Sequence, residues 1–346
     1  MTPSAPSSLP SGSSAARLLN GIKLAFGLLV ALPFLLLLLP LWFLYRWHER
    51  KNGQADPEAP WRILWNALSG KRDEQEWFTL PATPDKTGHS MLTPLPGAAV
   101  AAAPGTLALL TGGSSRLGNL IGADLARQGY RVIVTYYRSA ERAAALVEQI
   151  TAQGGEAYPF SLDQSDPEQV EQALSRIEER WGTPRLLINN ASLFQATPLQ
   201  TVDWPTLERL LRINLHAPLW LSIALGRRLY TLAEAGETGG QIIQLCDIWG
   251  ERPLAAHTVY STGKAGLIMA TRSLARELAP LVRVNGIAPG AVMGDADDPG
   301  WQTLLRHTPL AQQAAPHAIL HAIRYLLQAS FVTGEILHVD GGRRLH

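Results

Sequence analysis

The sequence predicts an α/β domain built on a doubly wound parallel sheet, preceded by a single apolar helix long enough to cross a membrane. Two patterns carry this expectation. From Thr106 onward, short apolar runs alternate with longer stretches of helical spacing, and between Leu24 and Tyr45 there is no charged residue. Alternating strand and helix implies a parallel sheet covered by helices on both faces, with ligands at the carboxyl ends of the strands. The apolar run is about 22 residues long, and about 20 suffice for a helix to span a bilayer.

Four regions follow in order. Residues 1–16 are rich in Ser, Pro and Ala and read as a disordered tail. Residues 17–50 read as a transmembrane anchor, since membrane helices tolerate prolines such as Pro33 and Pro40. The run is too long for a cleaved signal peptide, and no small-residue cleavage site follows it. Arg46, Arg50 and Lys51 follow the span directly, whereas only Arg17 and Lys23 precede it. The excess of positive charge predicts a single-pass protein with its C-terminal domain facing the cytoplasm. Residues 51–105 read as a juxtamembrane segment and linker. Half of the ten tryptophans fall between Trp42 and Trp77, and Trp61, Ile63, Leu64, Trp65 and Leu68 could share one helix face. That face would lie in the membrane interface or pack on the globular domain. Residues 106–346 form the folded domain. Its strands are expected at 106–111, 131–135, 185–189, 241–246, 282–287 and 335–339. Its helices are expected at 117–128, 140–153, 167–181 and 204–231.

Composition narrows the function. Thirty basic and 29 acidic residues nearly cancel, so no global field attracts nucleic acid. Apolar residues make up 46% of the chain, ample for a core. Cys246 is the only cysteine, so no intrachain disulfide can form. His317 and His321 stand one helical turn apart, but no third ligand is evident and no metal is expected.

The first strand runs into Thr111-Gly112-Gly113-Ser114-Ser115-Arg116-Leu117-Gly118, followed by a helix. A tight glycine turn lets backbone amides and a helix N-terminus approach a pyrophosphate. The second strand ends in Tyr136-Tyr137-Arg138-Ser139, without the acid that would hold the ribose hydroxyls of NAD. Arg138 and Ser139 offer a cation and a hydroxyl to a 2′-phosphate, and Arg116 adds a second cation, so NADPH is the expected cofactor. Farther along, Tyr260 and Lys264 share a helix face. A free tyrosine has a pKa near ~10, and a neighbouring ammonium is expected to draw it toward neutrality, making it a proton donor or acceptor.

The joint pattern of the glycine turn, Asn189-Asn190-Ala191, Asn214, Tyr260/Lys264, Pro289-Gly290 and Val339-Asp340-Gly341-Gly342 resembles the short-chain dehydrogenase/reductase family. Arg116 stands where that family's turn usually has its middle glycine. The resemblance implies a Rossmann-like sheet and an oxidoreductase. Its cofactor residues would be Thr111, Gly112, Ser114, Ser115, Arg116, Leu117, Gly118, Arg138, Ser139, Asp163, Asn190, Ala191, Ser192, Tyr260, Lys264, Pro289 and Gly290. Family members are often dimers or tetramers, so a homo-oligomer is expected by analogy.

Within the family, Arg116-Leu117-Gly118, Tyr137-Arg138-Ser139, Asn189–Phe194 with Thr197-Pro198-Leu199, and Asp247 look like pteridine and dihydromonapterin reductases. Asp247 stands thirteen residues before Tyr260, where most family members carry the catalytic serine. A serine hydroxyl can donate to a developing alkoxide, whereas an ionised aspartate only accepts. Asp247 therefore suits a substrate that presents N–H groups or gains a proton on nitrogen. The resemblance implies that Asp247, Tyr260 and Lys264 are catalytic. Phe194 would stack a pterin ring, and Ser192 and Arg116 would contact pterin or cofactor phosphate. The expected reaction is hydride transfer from NADPH to a dihydropterin-like C=N bond. The alternatives are a carbonyl or 3-oxoacyl reductase acting on a membrane lipid, and a non-catalytic NADPH-sensing scaffold. The Tyr260/Lys264 pair argues against a scaffold, which has no need of a proton donor.

Overall fold

The computed structural model describes residues 104–290, 292, 299–312 and 316–345. The expected tail, the anchor and the interfacial tryptophan segment lie outside the described residues. Among the described residues, no helix is long and apolar enough to cross a membrane.

Seven parallel strands form one sheet in the order β3-β2-β1-β4-β5-β6-β7. They are β1 (Leu107–Leu110), β2 (Arg131–Tyr136), β3 (Glu156–Ser161), β4 (Leu186–Asn189), β5 (Gly240–Leu245), β6 (Val282–Pro289) and β7 (Ile336–Val339). The central strands β1 and β4 are buried at every residue. That is why they read as unbroken apolar runs. Leu109 pairs with Ile133 on one side and Leu187 on the other. The strand order reverses between β1 and β4, which opens a crevice at their carboxyl ends.

The strand β3 is absent from the sequence expectation, and the reason is physical. It is an edge strand that alternates buried and exposed residues and carries Pro159. Proline is tolerated at an edge because no ladder bond is lost there. Only Ala157 and Phe160 are buried, so no short apolar run announces the strand.

Helices α1 (Arg116–Arg127), α2 (Ala140–Ala152) and α8 (His317–Gln328) cover one face of the sheet, where Ile121, Leu146 and Ile323 meet Leu110, Val134 and Ile188. Helices α3 (Pro167–Trp181), α5 (Ala217–Glu234) and α6 (Thr258–Leu278) cover the other, where Ile177, Leu225 and Leu274 meet Leu109, Leu187 and Val284. Among the described residues, the remaining α-helices are α4 (Trp204–Leu211) and α7 (Pro299–Arg306). Side chains start several of these helices. Asp166 accepts from the amides of Glu168 and Gln169, with Pro167 in the first turn, and Asp203 accepts from Thr206.

The expected continuous helix over 204–231 is broken. Between α4 and α5 the residues Arg212–His216 form a π-helical segment. Pro218 explains the break: it has no N–H for the carbonyl four residues back, that of Asn214, and its ring crowds that oxygen. Widening the ladder accommodates both effects, and such segments recur at functional sites.

Ile188 lies at the centre of the sheet and is fully buried. Ile188→Ala should destabilise the domain by about 2–5 kcal/mol, read as a lower urea midpoint with an unchanged m-value. A midpoint equal to wild type would contradict the core described here.

Candidate active site

Two strand ends build the site. Thr111 follows β1 and is completely buried. Its Oγ1 accepts hydrogen bonds from the amides of Asn190 and Ala191, both at 3.0 Å, at the end of β4. Asn190 returns the tie, as its side-chain amide donates to the carbonyls of Thr111 and Gly112, each at 3.0 Å. This cross-link fixes the glycine turn against the next loop. Gly112 has φ +63°, and a Cβ there would stand 2.8 Å from Cα of Ala191. Gly118 cannot carry a side chain either, because its Cβ would meet the Gly112 oxygen at 2.2 Å. The hydroxyl of Ser115 caps α1 by accepting from the Gly118 amide at 3.0 Å.

Beside this turn lies a cleft of about 520 Å³. Its walls include Gly112, Ser114, Ser115, Asn190, Ala191 and Ser192 at one end, and Arg138, Ser139 and Asp163 at the other. Thr111 lies beneath it, at the end of β1. Arg116, Leu117 and Gly118 form the first turn of α1, while Pro289 ends β6 and Gly290 follows it. None of these last five residues lines the cleft. Gly290 is instead packed against Asp340, where a Cβ would approach Cα at 2.7 Å.

The far end of the cleft gathers positive charge. Arg138 is exposed, with its guanidinium 4.9 Å from the ring centre of Tyr137. Ser139 stands at the cap position of α2, but its hydroxyl makes no capping bond. Arg142, one turn into α2, lines the same end. A helix N-terminus, two guanidiniums and an uncommitted hydroxyl suit a phosphate monoester. Sequence reasoning missed Arg142, although its i,i+4 spacing from Arg138 was a usable signal. Arg209 and Gln164 also line the cleft, brought there by tertiary folding with no local signature.

The three residues expected to be catalytic meet at the end of β5. The hydroxyl of Tyr260 lies 2.6 Å from Oδ2 of Asp247. Oδ1 of Asp247 accepts from the Trp249 amide at 3.0 Å, which holds the carboxylate in place. Lys264 is buried, donates to the Leu245 carbonyl at 2.8 Å, and places Nζ 5.8 Å from the ring centre of Tyr260. Asn214, carried by the π segment, clamps the adjoining loop. Its Oδ1 accepts from Ser192 Oγ at 2.7 Å and the Leu193 amide at 3.1 Å, and its Nδ2 donates to the Leu193 carbonyl at 2.9 Å. Phe194 is 58% exposed and lies T-shaped against Tyr260, with ring centres 4.9 Å apart.

The electrostatics of the trio correct the sequence expectation for Tyr260. Burial pushes its phenol above the ordinary tyrosine value, and the charge and hydrogen bond of Asp247 push it further the same way, against a smaller opposing bond from Ser192. The ammonium of Lys264 is directed at a carbonyl and does not offset this. Burial also raises the carboxyl of Asp247, against the lowering effects of Trp249, Tyr260 and Lys264. Lys264 is lowered by burial, opposed by Asp247 and Cys246. The site therefore holds a protonated phenol beside a carboxyl that takes up a proton more readily than usual.

A buried Tyr–Lys pair beside a dinucleotide cleft at the switch point of a parallel sheet defines an oxidoreductase. The chain belongs to the short-chain dehydrogenase family, whose model matches residues 106–303. It is 29% identical over 241 residues to a 3-oxoacyl-[acyl-carrier-protein] reductase from Synechocystis, covering 68% of this chain and 96% of that protein. Among solved structures, it is similar to a blue fluorescent protein from a metagenomic library in complex with NADPH, at 33% identity and a TM-score of 0.63, covering 69% of this chain and 98% of that one. It is likewise similar to FolM alternative dihydrofolate reductase 1 from Brucella canis, complexed with NADP, at 29% identity and a TM-score of 0.63, covering 70% and 95% of the two chains. The chain is an NADPH-dependent reductase, and the glycine turn and basic pocket fit that cofactor.

Arg138→Ala should weaken NADPH by about 1.5–3 kcal/mol, the worth of a charge-assisted hydrogen bond, and leave NADH nearly untouched. Michaelis constants for both cofactors test this. An unchanged NADPH/NADH preference would remove Arg138 from the phosphate site.

Proposed function

We propose that this chain reduces a C=N bond of a dihydropterin-like heterocycle with NADPH. The observation that carries the reading is the 2.6 Å contact between Tyr260 and Asp247. NADPH, when bound, supplies the hydride. Arg138, Ser139 and Arg142 would hold its extra phosphate, and Lys264 the nicotinamide ribose. Tyr260 donates a proton to the ring nitrogen, and Asp247 replaces it through the short hydrogen bond. The heavy-atom distance suits either direction of donation. The exposed ring of Phe194 offers a flat apolar surface for stacking, and Ser192, on the same loop, lines the cleft.

The raised carboxyl of Asp247 favours this relay. A group that must begin protonated works below its pKa, and a raised pKa extends that range upward. A second reading, reduction of a 3-oxoacyl carbonyl, is supported by the names of similar proteins in Synechocystis and Staphylococcus aureus. Asp247 distinguishes the two. Asp247→Ser should lower activity on a dihydropterin by about 10²–10⁴-fold, while activity on a simple carbonyl holds or rises. The high-pH limb set by Asp247 should also vanish from the pH–rate profile of the variant. NADPH titration must show intact cofactor binding before the rates are compared. A pterin-to-carbonyl ratio that does not move would leave Asp247 without a role in substrate choice.

The location of this activity is part of the same reading. The uncharged run from Leu24 to Tyr45, with basic residues on its C-terminal side, supports a membrane-tethered enzyme facing the cytoplasm. Carbonate washing should leave the full-length chain in the membrane fraction. Recovery of the uncleaved chain as soluble protein would refute the tether.

A further inference from the structure

We infer that His257 is a positioning residue that sets the enzyme's preference for flat aromatic substrates by holding Phe194 in place. This deepens the pterin reading and rests on it. An exposed phenylalanine on a loop would ordinarily sample several rotamers. Phe194 is instead held from two sides. The ring of His257 lies face to face with it, 4.5 Å between centres and 17° between planes. The ring of Tyr260 stands T-shaped to it, at 88°.

His257 is itself fixed. Its Nδ1 lies 2.8 Å from the Ala255 carbonyl, and because a carbonyl only accepts, Nδ1 carries the proton. The two loops are tied a second time, by the Thr197 amide donating to the Ala256 carbonyl. Ala256 adopts φ +56°, a left-handed conformation that a residue with a Cβ avoids. Such a conformation persists where the surroundings over-determine it, and it recurs at ligand clamps.

One face of Phe194 is therefore covered by His257, and its orientation is set against the proton-donating Tyr260. With 58% of Phe194 exposed, its ring still offers a seat for a second ring. A planar heterocycle can use that seat fully, whereas a flexible acyl chain cannot. The freedom of Phe194 is given up on folding rather than on binding, which favours affinity. His257 acts through Phe194 and need not touch the substrate.

The test uses the full-length enzyme with His257→Ala and His257→Phe, each first verified by NADPH titration. The probes are pterin itself, titrated by its fluorescence, and a reducible dihydropterin. His257→Ala should raise the dissociation constant of pterin and the KM for the dihydropterin by about 2- to 12-fold, the range of an aromatic pair. The kcat on the dihydropterin should move far less. His257→Phe keeps a stacking ring and should restore both constants. The KM for a short 3-oxoacyl thioester should rise less than that for the dihydropterin. Unchanged or tighter pterin binding in His257→Ala would overturn the inference, the second because His257 would then occupy the seat itself. Failure of His257→Phe to restore binding would also overturn it, since stacking would not be the property that matters. A wild-type enzyme that neither binds pterin nor reduces the dihydropterin would overturn the pterin reading first, before any variant is compared.

Discussion

The cross-link between Thr111 and Asn190 is the constraint from which the site is built. A parallel sheet with its switch point between β1 and β4 leaves those two strand ends diverging, with backbone groups that have no ladder partner. The buried hydroxyl of Thr111 accepts from two amides of the β4 loop, and the side chain of Asn190 satisfies two carbonyls of the β1 turn. Two amides and two carbonyls are thus bonded by two side chains, and the Gly112 carbonyl also accepts from the Ser115 amide. The price is steric, because the two loops come so close that Gly112 has no room for a Cβ. The same closeness leaves the glycine turn as one end of the cleft and aims the loop carrying Ser192 and Phe194 at Tyr260.

A second polar system supports the first from below. Asn189 donates to Ser222 and to the Pro218 carbonyl, Gln244 donates to Ser222, and Ser222 donates to Pro218. These groups tie β4 and β5 to the start of α5, just past the π segment. The carbonyl of Pro218 is bonded from two sides, by Asn189 and by Ser222. The widened turn before it carries Asn214 to the Ser192 loop.

Much of this was legible in the sequence where local chemistry decides it. The central strands announce themselves because both of their faces are buried. The glycine turn and the Tyr260/Lys264 pair are visible because their spacing is set by a single turn or helix. Asp247 was legible only by its place relative to Tyr260. What was not legible depends on partners distant in sequence. The edge strand β3 hides because half of it faces solvent. Arg209 and Gln164 are ordinary residues until folding sets them at the cleft, as His257 is until it meets Phe194. The titration of Tyr260 misled for the same reason. The sequence shows an ammonium one turn away, but not that this ammonium bonds the Leu245 carbonyl while a buried carboxyl faces the phenol.

The direction of those shifts bears on which substrate the site favours. An imine nitrogen is basic enough to take its proton before hydride arrives, so the reacting group can become an iminium cation. A carbonyl oxygen is not, and its charge grows negative as hydride adds. Passing a proton from Asp247 through Tyr260 to nitrogen leaves a carboxylate near a cation. Two unit charges about 4 Å apart interact by roughly 4 kcal/mol at an effective dielectric of about 20. Against an alkoxide, a term of that size changes sign. Even half of it separates the two reactions by more than the tenfold that about 1.4 kcal/mol represents. The burial that raises the carboxyl of Asp247 also strengthens the field it exerts once ionised. A serine in its place would carry no charge at either stage. In the proposed relay, the residue at this one position thus decides whether a negative charge faces the reacting atom, while the fold and the cofactor cleft stay the same.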